Sequence, residues 1–402
     1  RESSRGSTSG AGARRTRWTL CAAEVSLAMA ALVATGVLVR NFDRARSLDP
    51  GLDARRVACA KYYVETFCRT RDERRQFSIR LADRLRATPG VAAVSYSNFI
   101  PLEFGEGSAG PIEVEGYAPA PGEDMRVANS GVSPGYFDTL GIPLLEGRDF
   151  RDQDEPGTAR VVIVNQTFAR RYLAGRPAVG HRIHSGGAWS TIVGVSRDIK
   201  TRRLTEPPAP YVYSAARQTS GGEFWMAFFV RSTGPVSGVL ASLDREAAAV
   251  HPATRGSAFV AYQDWIGAAL YPQRVAATLV AVVGASAVLL AALGMYSVLA
   301  FAVTQRTNEF GIRIALGALP WHVFSEVARQ GLGLTVVGLV AGGLIAAAAL
   351  RFASSPAPEL SAADPAAFAG AVVLLCAVGL LASYLPARRA TKVDPVEALR
   401  QE

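Results

Sequence analysis

Four stretches of the chain are nearly free of charge for about the length that crosses a bilayer. Residues 18–39 contain a single Asp, Glu, Lys or Arg, namely Glu24, while 275–303, 330–350 and 366–387 contain none. A helix needs roughly 20 mostly apolar residues to span the hydrocarbon layer, so the pattern predicts four transmembrane helices, over 18–39, 275–303, 323–350 and 366–387. The first could be mistaken for a secretory signal. It is longer than a signal core and lacks a small-x-small cleavage site, which favours an uncleaved anchor.

Between the first and second of these runs, residues 40–274 change character, with short apolar runs alternating with polar clusters. After a polar exit at 42–53, RRVACAKYYVETF (55–67) reads as a strand. The next segment, RDERRQFSIRLADRLRATPGV (71–91), sets Phe77, Leu81, Leu85 and Val91 among charges, the spacing of an amphipathic helix stopped by Pro89-Gly90. AAVSYSNFIPL (92–102) is a second strand. The same order returns later in FWMAFFVRS (224–232), VSGVLASLDREAAAVHP (236–252) and SAFVAYQDW (257–265). Two such units, about 54–100 and 222–264, predict a sheet with helices on one face, built from both ends of the domain. The intervening region, about 101–221, is rich in Gly, Pro and short β-runs (IEVEGY, RVANSGVS, ARVVIVN, STIVGVSRDI), with TFARRYLAG as a short helix. The expected fold class is therefore an α+β membrane protein: four transmembrane helices with a large extracytoplasmic α/β plus β-rich domain inserted between helices 1 and 2.

Charge adds an orientation, because short cytoplasmic flanks carry the excess of Lys and Arg. Residues 1–18 carry five, the 304–322 loop two, the tail from Pro386 four, and the 351–365 loop one. Both termini (1–17, read as a disordered basic segment, and 388–402) and the 304–322 segment are thus expected inside, with 40–274 and 351–365 outside. The net charge of +9 comes from 40 Arg and only three Lys. No nucleic-acid reading motif accompanies it, so topology and lipid contact account for it and no nucleic acid is expected.

Chemistry-bearing motifs are largely missing from the sequence. A phosphate loop requires Gly-Lys followed by Ser or Thr, yet the three lysines follow Ala60, Ile199 and Thr391. His181 and His184 form the one close histidine pair, too few ligands for a metal site. Asp152, Asp154 and Glu155 read as a solvated turn. Cys59 and Cys68 bracket a strand that would hold them too far apart to bridge. No cofactor, metal site or catalytic residue is expected. Two features remain. Glu24 lies inside a span, where an ionisable residue is either functional or reaches the interface or Arg17. Gly338 and Gly342, four apart in the third span, offer a close helix contact, within the chain or between copies.

The segment RTNEFGIRIALGA (306–318), directly after the second span, and the tail LPARRATKVDPVEALRQE (385–402) resemble the C-terminal membrane region of the MacB/FtsX-type ABC transporter permeases. ATPGVAAVS, VSPGYFDTLGIPLLEGRDF, ARVVIVNQTFARRYLAG and STIVGVSRDIKTRRL are similar to core segments of the extracytoplasmic domain in the large, often duplicated members. The resemblance implies a porter-like α/β part with a β-rich insertion and a bacterial inner-membrane location. It also implies a permease dimer or a duplicated second half, a separate ABC ATPase, and a periplasmic or outer-membrane partner. It makes 304–322 the cytoplasmic coupling element, with Arg306, Glu309, Gly311, Arg313 and Gly317 as its contact residues. A scaffold regulating an extracytoplasmic enzyme without moving a substrate is the alternative. A membrane-anchored enzyme would have no need of such a segment.

Overall fold

The computed structural model describes residues 7–103, 108–219, 224–269, 271–306, 309–310, 312–313, 319–354 and 365–390. They divide into two compact units, one drawn from Arg1–Arg44 and Pro272–Glu402, the other from Ala45–Tyr271.

The second unit holds eleven strands: β1 (Val57–Tyr62), β2 (Val91–Ser97), β3 (Ala109–Val114), β4 (Arg126–Val132), β5 (Leu144–Gly147), β6 (Val161–Asn165), β7 (Arg182–Ser185), β8 (Ala188–Ser196), β9 (Tyr211–Ala215), β10 (Met226–Ser232) and β11 (Val260–Ala261). Four of them form an antiparallel sheet in the order β11-β1-β10-β2, so strands from both ends of the domain lie side by side. Both faces of this sheet are covered, as the alternation along β10 shows. Met226, Phe228 and Val230 join a cluster with Phe77, Leu81 and Leu85 of helix α2 (Arg71–Arg86) and Leu243 of α6 (Leu240–Val250). Ala227 and Phe229 point the other way, toward Val132, Tyr136 and Tyr213. Side chains alternate between faces in a strand, so a strand buried on both sides reads as a continuous apolar run.

Helix α2 begins where Thr70 accepts a hydrogen bond from the Glu73 N–H and Glu73 accepts one from the Thr70 N–H, a capping box that satisfies orphan donors reciprocally. It is tied to α6 by Arg84–Glu246 at 2.6 Å.

Six of the seven remaining strands close on themselves, and β5 pairs β8 alone. β4 pairs β3, β3 pairs β7, β7 pairs β8, β8 pairs β6, β6 pairs β9, and β9 returns to β4, a six-strand barrel with two parallel joins, β6–β8 and β4–β9. Closure leaves no unpaired edge among these six strands. All six strands contribute to one core, Ile112, Val127, Val164, Ile183, Ile192 and Val212 among them, and Phe168, Tyr172 and Leu173 of α4 (Gln166–Leu173) pack into it. The single bridge Ser97–Val132 joins barrel to sheet.

Three of the sequence segments that carry the family resemblance owe their spelling to this barrel. Asn165 caps α4 by accepting from the Phe168 N–H at 3.0 Å and also accepts from the Tyr211 N–H at 2.8 Å. Its amide donates to Asp198, which accepts as well from the Thr167 N–H and hydroxyl. Gly147 at φ +75° lies where any Cβ would collide with the Val193 carbonyl, and a Cβ on Gly194 would stand 2.7 Å from the Arg148 carbonyl. These glycines, opposite each other in the ladder, let β5 pair closely with β8.

The structure departs from the sequence reading in several places. Residues 7–17, expected to be disordered, belong to helix α1 (Ser7–Ser47), which also continues past the polar exit. A formed apolar helix nucleates its own extension, each added residue gaining a hydrogen bond without a new nucleus. SAFVAYQDW is strand for only two residues; Tyr262 turns inward, its hydroxyl donating to the Pro101 carbonyl at 2.9 Å, and starts helix α7 (Tyr262–Ala269). Nor is the 152–155 turn simply solvated. Asp154 is buried against Arg148 at 3.0 Å, while Asp152 and Glu155 meet Arg217. Strands β5, β7 and β9 and the short helices α3 (Tyr136–Leu140) and α5 (Ala216–Thr219) carry too few residues to show a period.

In the first unit, α1 is joined by a second span (Tyr271–Gln305), a third (Pro320–Ser354) and a fourth (Pro365–Ala390). Each contains a run long and apolar enough to cross a membrane: Thr16–Asn41, Arg274–Gln305, Phe324–Phe352 and Pro365–Pro386.

Candidate functional site

The segment after the second span holds three of the five residues expected in the coupling element. Gly311 and Gly317 lie outside the described residues. Arg306 ends the second span, and the Phe310 N–H donates to its carbonyl at 2.9 Å, continuing the helical turn. Glu309 and Arg313, four apart and therefore on one side of a helix, form an ion pair. Phe310 points away from them and is buried, packed with Leu299 and Val303 of the second span and Val327 and Phe324 of the third. Burying a phenylalanine contributes roughly 3 kcal/mol or more against truncation to alanine, so this ring is the anchor of the segment.

The charges close a ring through a residue that sequence reasoning missed. Glu326, on the third span, accepts from Arg313 at 3.0 Å through Oε2 and faces Arg306 at 3.6 Å through Oε1. Arg306 in turn lies 3.9 Å from Glu309. Two arginines and two glutamates thus alternate around a neutral cluster drawn from the end of one span, the intervening segment and the start of the next. Their side chains are 37 to 47% exposed, and exposed ion pairs contribute only about 0.2–1 kcal/mol each. The cluster therefore orients more than it stabilises. Glu326 could have been found in the sequence as an acid seven residues after Leu319, on the same span that supplies Val327, but no local pattern marks it.

Opposite Phe310 on this turn stands Ile312, 47% exposed, and Leu319 and Trp321 are 62 and 67% exposed. Trp321 stacks on Phe324 at 5.4 Å. Ile312, Leu319 and Trp321 are thus apolar groups left exposed among the described residues of the segment.

Gly338 and Gly342 are placed against helix α1: a Cβ on Gly338 would stand 2.5 Å from Val25 Cβ, and one on Gly342 would stand 2.7 Å from Met29 Cβ. The contact they make is within the chain. Glu24 does not pair with Arg17, whose guanidinium lies over the Phe301 ring at 4.2 Å. Instead Glu24 Oε2 is buried against Gly294 of the second span, with no hydrogen-bond partner among the described residues.

In the other unit, an open cleft of about 670 Å³ is lined by Leu48, Leu52, Arg55, Arg197, Gln263 and Ile266 among others. Its charges pair off locally, Arg55 with Asp53 at 3.1 Å and Arg197 with Asp49 at 3.4 Å. His184 lies 4.0 Å from Glu113 and beside Trp189. Among the described residues no three His, Cys, Asp or Glu side chains stand together as a metal site would require.

The fold and this segment define a class: multi-pass membrane proteins that carry a two-part domain between the first and second spans. Residues 20–253 match the MacB-like periplasmic core domain and residues 281–395 the FtsX-like permease C-terminal domain. The chain belongs to the MacB/FtsX-type ABC permeases. It is 26% identical over 280 residues to the macrolide export ATP-binding/permease protein MacB 1/2 of Paracoccus denitrificans, covering 68% of this chain and 42% of that one. To the ABC transporter permease YknZ of Bacillus subtilis it is 25% identical over 289 residues, 70% of this chain and 71% of that one. The chain therefore spans less than half of the Paracoccus protein. The crystal structure of the periplasmic region of MacB from Actinobacillus actinomycetemcomitans aligns with 53% of this chain and 92% of its own at 15% identity, with a TM-score of 0.37.

Proposed function

We propose that the chain is the transmembrane subunit of an ABC-type complex in which an ATPase outside these 402 residues drives the 304–322 segment, and the spans relay that motion to the 40–274 domain for efflux or mechanotransmission. On this reading the 304–322 segment and both termini face the cytoplasm and 40–274 the periplasm, in the orientation that the Lys and Arg counts favour. The complex is completed by a second permease copy or a duplicated half, and by a periplasmic or outer-membrane partner.

The observation that carries the proposal is the neutral cluster of Arg306, Glu309, Arg313 and Glu326. It ties a short helical segment to two spans at once, in a sequence with no phosphate loop of its own. A segment braced in this way moves with the spans when pushed. That relatives are named for ATP binding together with permease activity agrees with an ATPase as the source of the push. Export in the names of those relatives favours efflux.

The test is isolation of the native complex from membranes. Recovery of an ABC ATPase with the wild-type chain, and its loss with Arg313→Glu, is the expected result. If the ATPase stays bound to Arg313→Glu as well as to wild type, the segment is not the coupling element.

A further inference from the structure

We infer that Glu326 is the positioning residue of the coupling segment, among the described residues the one carboxylate through which both of the segment's arginines are held to the third span. This inference rests on the coupling reading above for its functional meaning, though not for its geometry.

Each charge of the cluster reaches a different set of partners. Glu309 and Arg313 sit on the same turn and would pair with one another whatever the rest of the chain did. Arg306 belongs to the end of the second span and reaches Glu309 only at 3.9 Å. Glu326 alone comes from beyond the segment, and its two oxygens divide between the arginines, Oε2 to Arg313 at 3.0 Å and Oε1 to Arg306 at 3.6 Å. Removing Glu309 leaves both arginines attached to the third span; removing Glu326 detaches both. A carboxylate bridging two guanidiniums also fixes direction, because each of its oxygens accepts along its own lone pairs. The adjoining Phe310 ring holds the segment by depth but not by rotation, since apolar contact is non-directional. The ring thus keeps the segment in place, and Glu326 sets the angle at which it is presented and makes its displacement a displacement of the third span.

The test uses the full chain in lipid nanodiscs and trypsin, which cuts after arginine. Cleavage after Arg306 and Arg313 is followed by mass spectrometry against cleavage after Arg202 and Arg203 as internal reference. Glu326→Gln should accelerate cleavage at both segment sites by roughly two- to thirtyfold, the range expected for losing two exposed ion pairs. Glu326→Asp, which keeps the charge on a shorter arm, should fall between. Raising salt from about 0.15 M to 1 M, which shortens the screening length from about 8 to 3 Å, should accelerate the wild type more than Glu326→Gln, in which only the pairs to Glu309 remain to be screened. Equal cleavage in Glu326→Gln and wild type would overturn the inference, as would a Glu326→Asp variant no better than Glu326→Gln.

A second arm separates positioning from simple support. In the isolated complex, with native cysteines replaced, the rate at which a maleimide labels Trp321→Cys on the third span should change on addition of ATP and vanadate. In Glu326→Gln the ATPase should remain bound while that change disappears; persistence of the change overturns the inference. If no ATPase is recovered at all, the coupling reading falls, and the trypsin arm still decides whether Glu326 holds the segment.

Discussion

The Glu24 carboxylate of helix α1 rests on the bare backbone of Gly294 in the second span, its Oε2 buried and accepting no hydrogen bond among the described residues. No side chain larger than hydrogen fits at 294 while the carboxylate stays where it is. Gly294→Ala should therefore push the carboxylate aside, and because the obstructing atom is the end of a flexible side chain the cost should be modest, up to about 1 kcal/mol, read as a slightly lowered melting temperature of the chain in nanodiscs. Glu24→Ala in that background should recover part of the loss, a non-additivity expected only of residues in contact. Wild-type melting of Gly294→Ala would show that the two do not touch.

Two neighbouring glycines of the third span make a sharper comparison. A Cβ on Gly342 would meet Met29 Cβ at 2.7 Å and the Ser26 carbonyl even closer, whereas a Cβ on Gly343 meets nothing within 4 Å. Substitution by valine changes helix propensity and hydrophobicity equally at both, so only packing on α1 differs. Gly342→Val should lower thermal stability by about 1–3 kcal/mol, and Gly343→Val should stay within about 0.5 kcal/mol of wild type. Similar melting of the two variants would remove the α1 contact.

These glycines show where the sequence was informative. A spacing of four small residues marked 338 and 342 as a close-contact face, because the physics of helix approach in lipid is local to one helix. Which helix they would meet was not legible, since that depends on how four spans pack. The same divide runs through the rest of the chain. The four spans, helix α2 and the longer strands follow from local periodicity. Closure of the barrel by β4 and β9, residues 128 to 215, is a long-range pairing with no local signature. In the candidate site, Arg306, Glu309 and Arg313 were visible as one helical face, but Glu326 became part of it only when the third span folded back.

The domain's acid sensitivity should have two opposing parts. Burial works to raise the Asp154 carboxyl, but hydrogen bonds from the Arg148 side chain and the Arg151 N–H outweigh it and hold it below the usual carboxylate range. The stability it supplies is full above that range and fades as pH falls through and beneath it. Asp149 is pushed up, chiefly by burial, despite accepting from the Phe150 and Gly135 N–H groups. Its contribution has the other sign, declining as pH rises through the window above the usual carboxylate value. In melting curves against pH, Asp154→Asn should flatten the acid limb and Asp149→Asn the limb just above it. At neutral pH Asp154→Ala should cost about 1.5–3 kcal/mol, as for hydrogen bonds to a charged group. An unaltered acid limb in Asp154→Asn would rule out this assignment.

Cys59 and Cys68 belong to cores on opposite faces of the four-strand sheet, Cys59 with Phe229 and Tyr262, Cys68 with Phe77 and Phe228. Both thiols are free and buried, and burial pushes both above the ordinary thiol value. The thiolate is the reactive form, so scarcity of thiolate and lack of access act together. A maleimide at neutral pH should leave both unlabelled in the folded chain, with peptide mapping separating them from Cys21 and Cys376 in the spans. Denaturant should expose both. Because the two faces are packed by different helices, partial unfolding can distinguish them: loss of α2 and α6 uncovers Cys68 first, whereas Cys59 waits on separation of the sheet from the barrel side. Labelling of Cys68 before Cys59 along a denaturant series is therefore the expected order, and simultaneous labelling would mean that sheet, helices and barrel open as one cooperative unit.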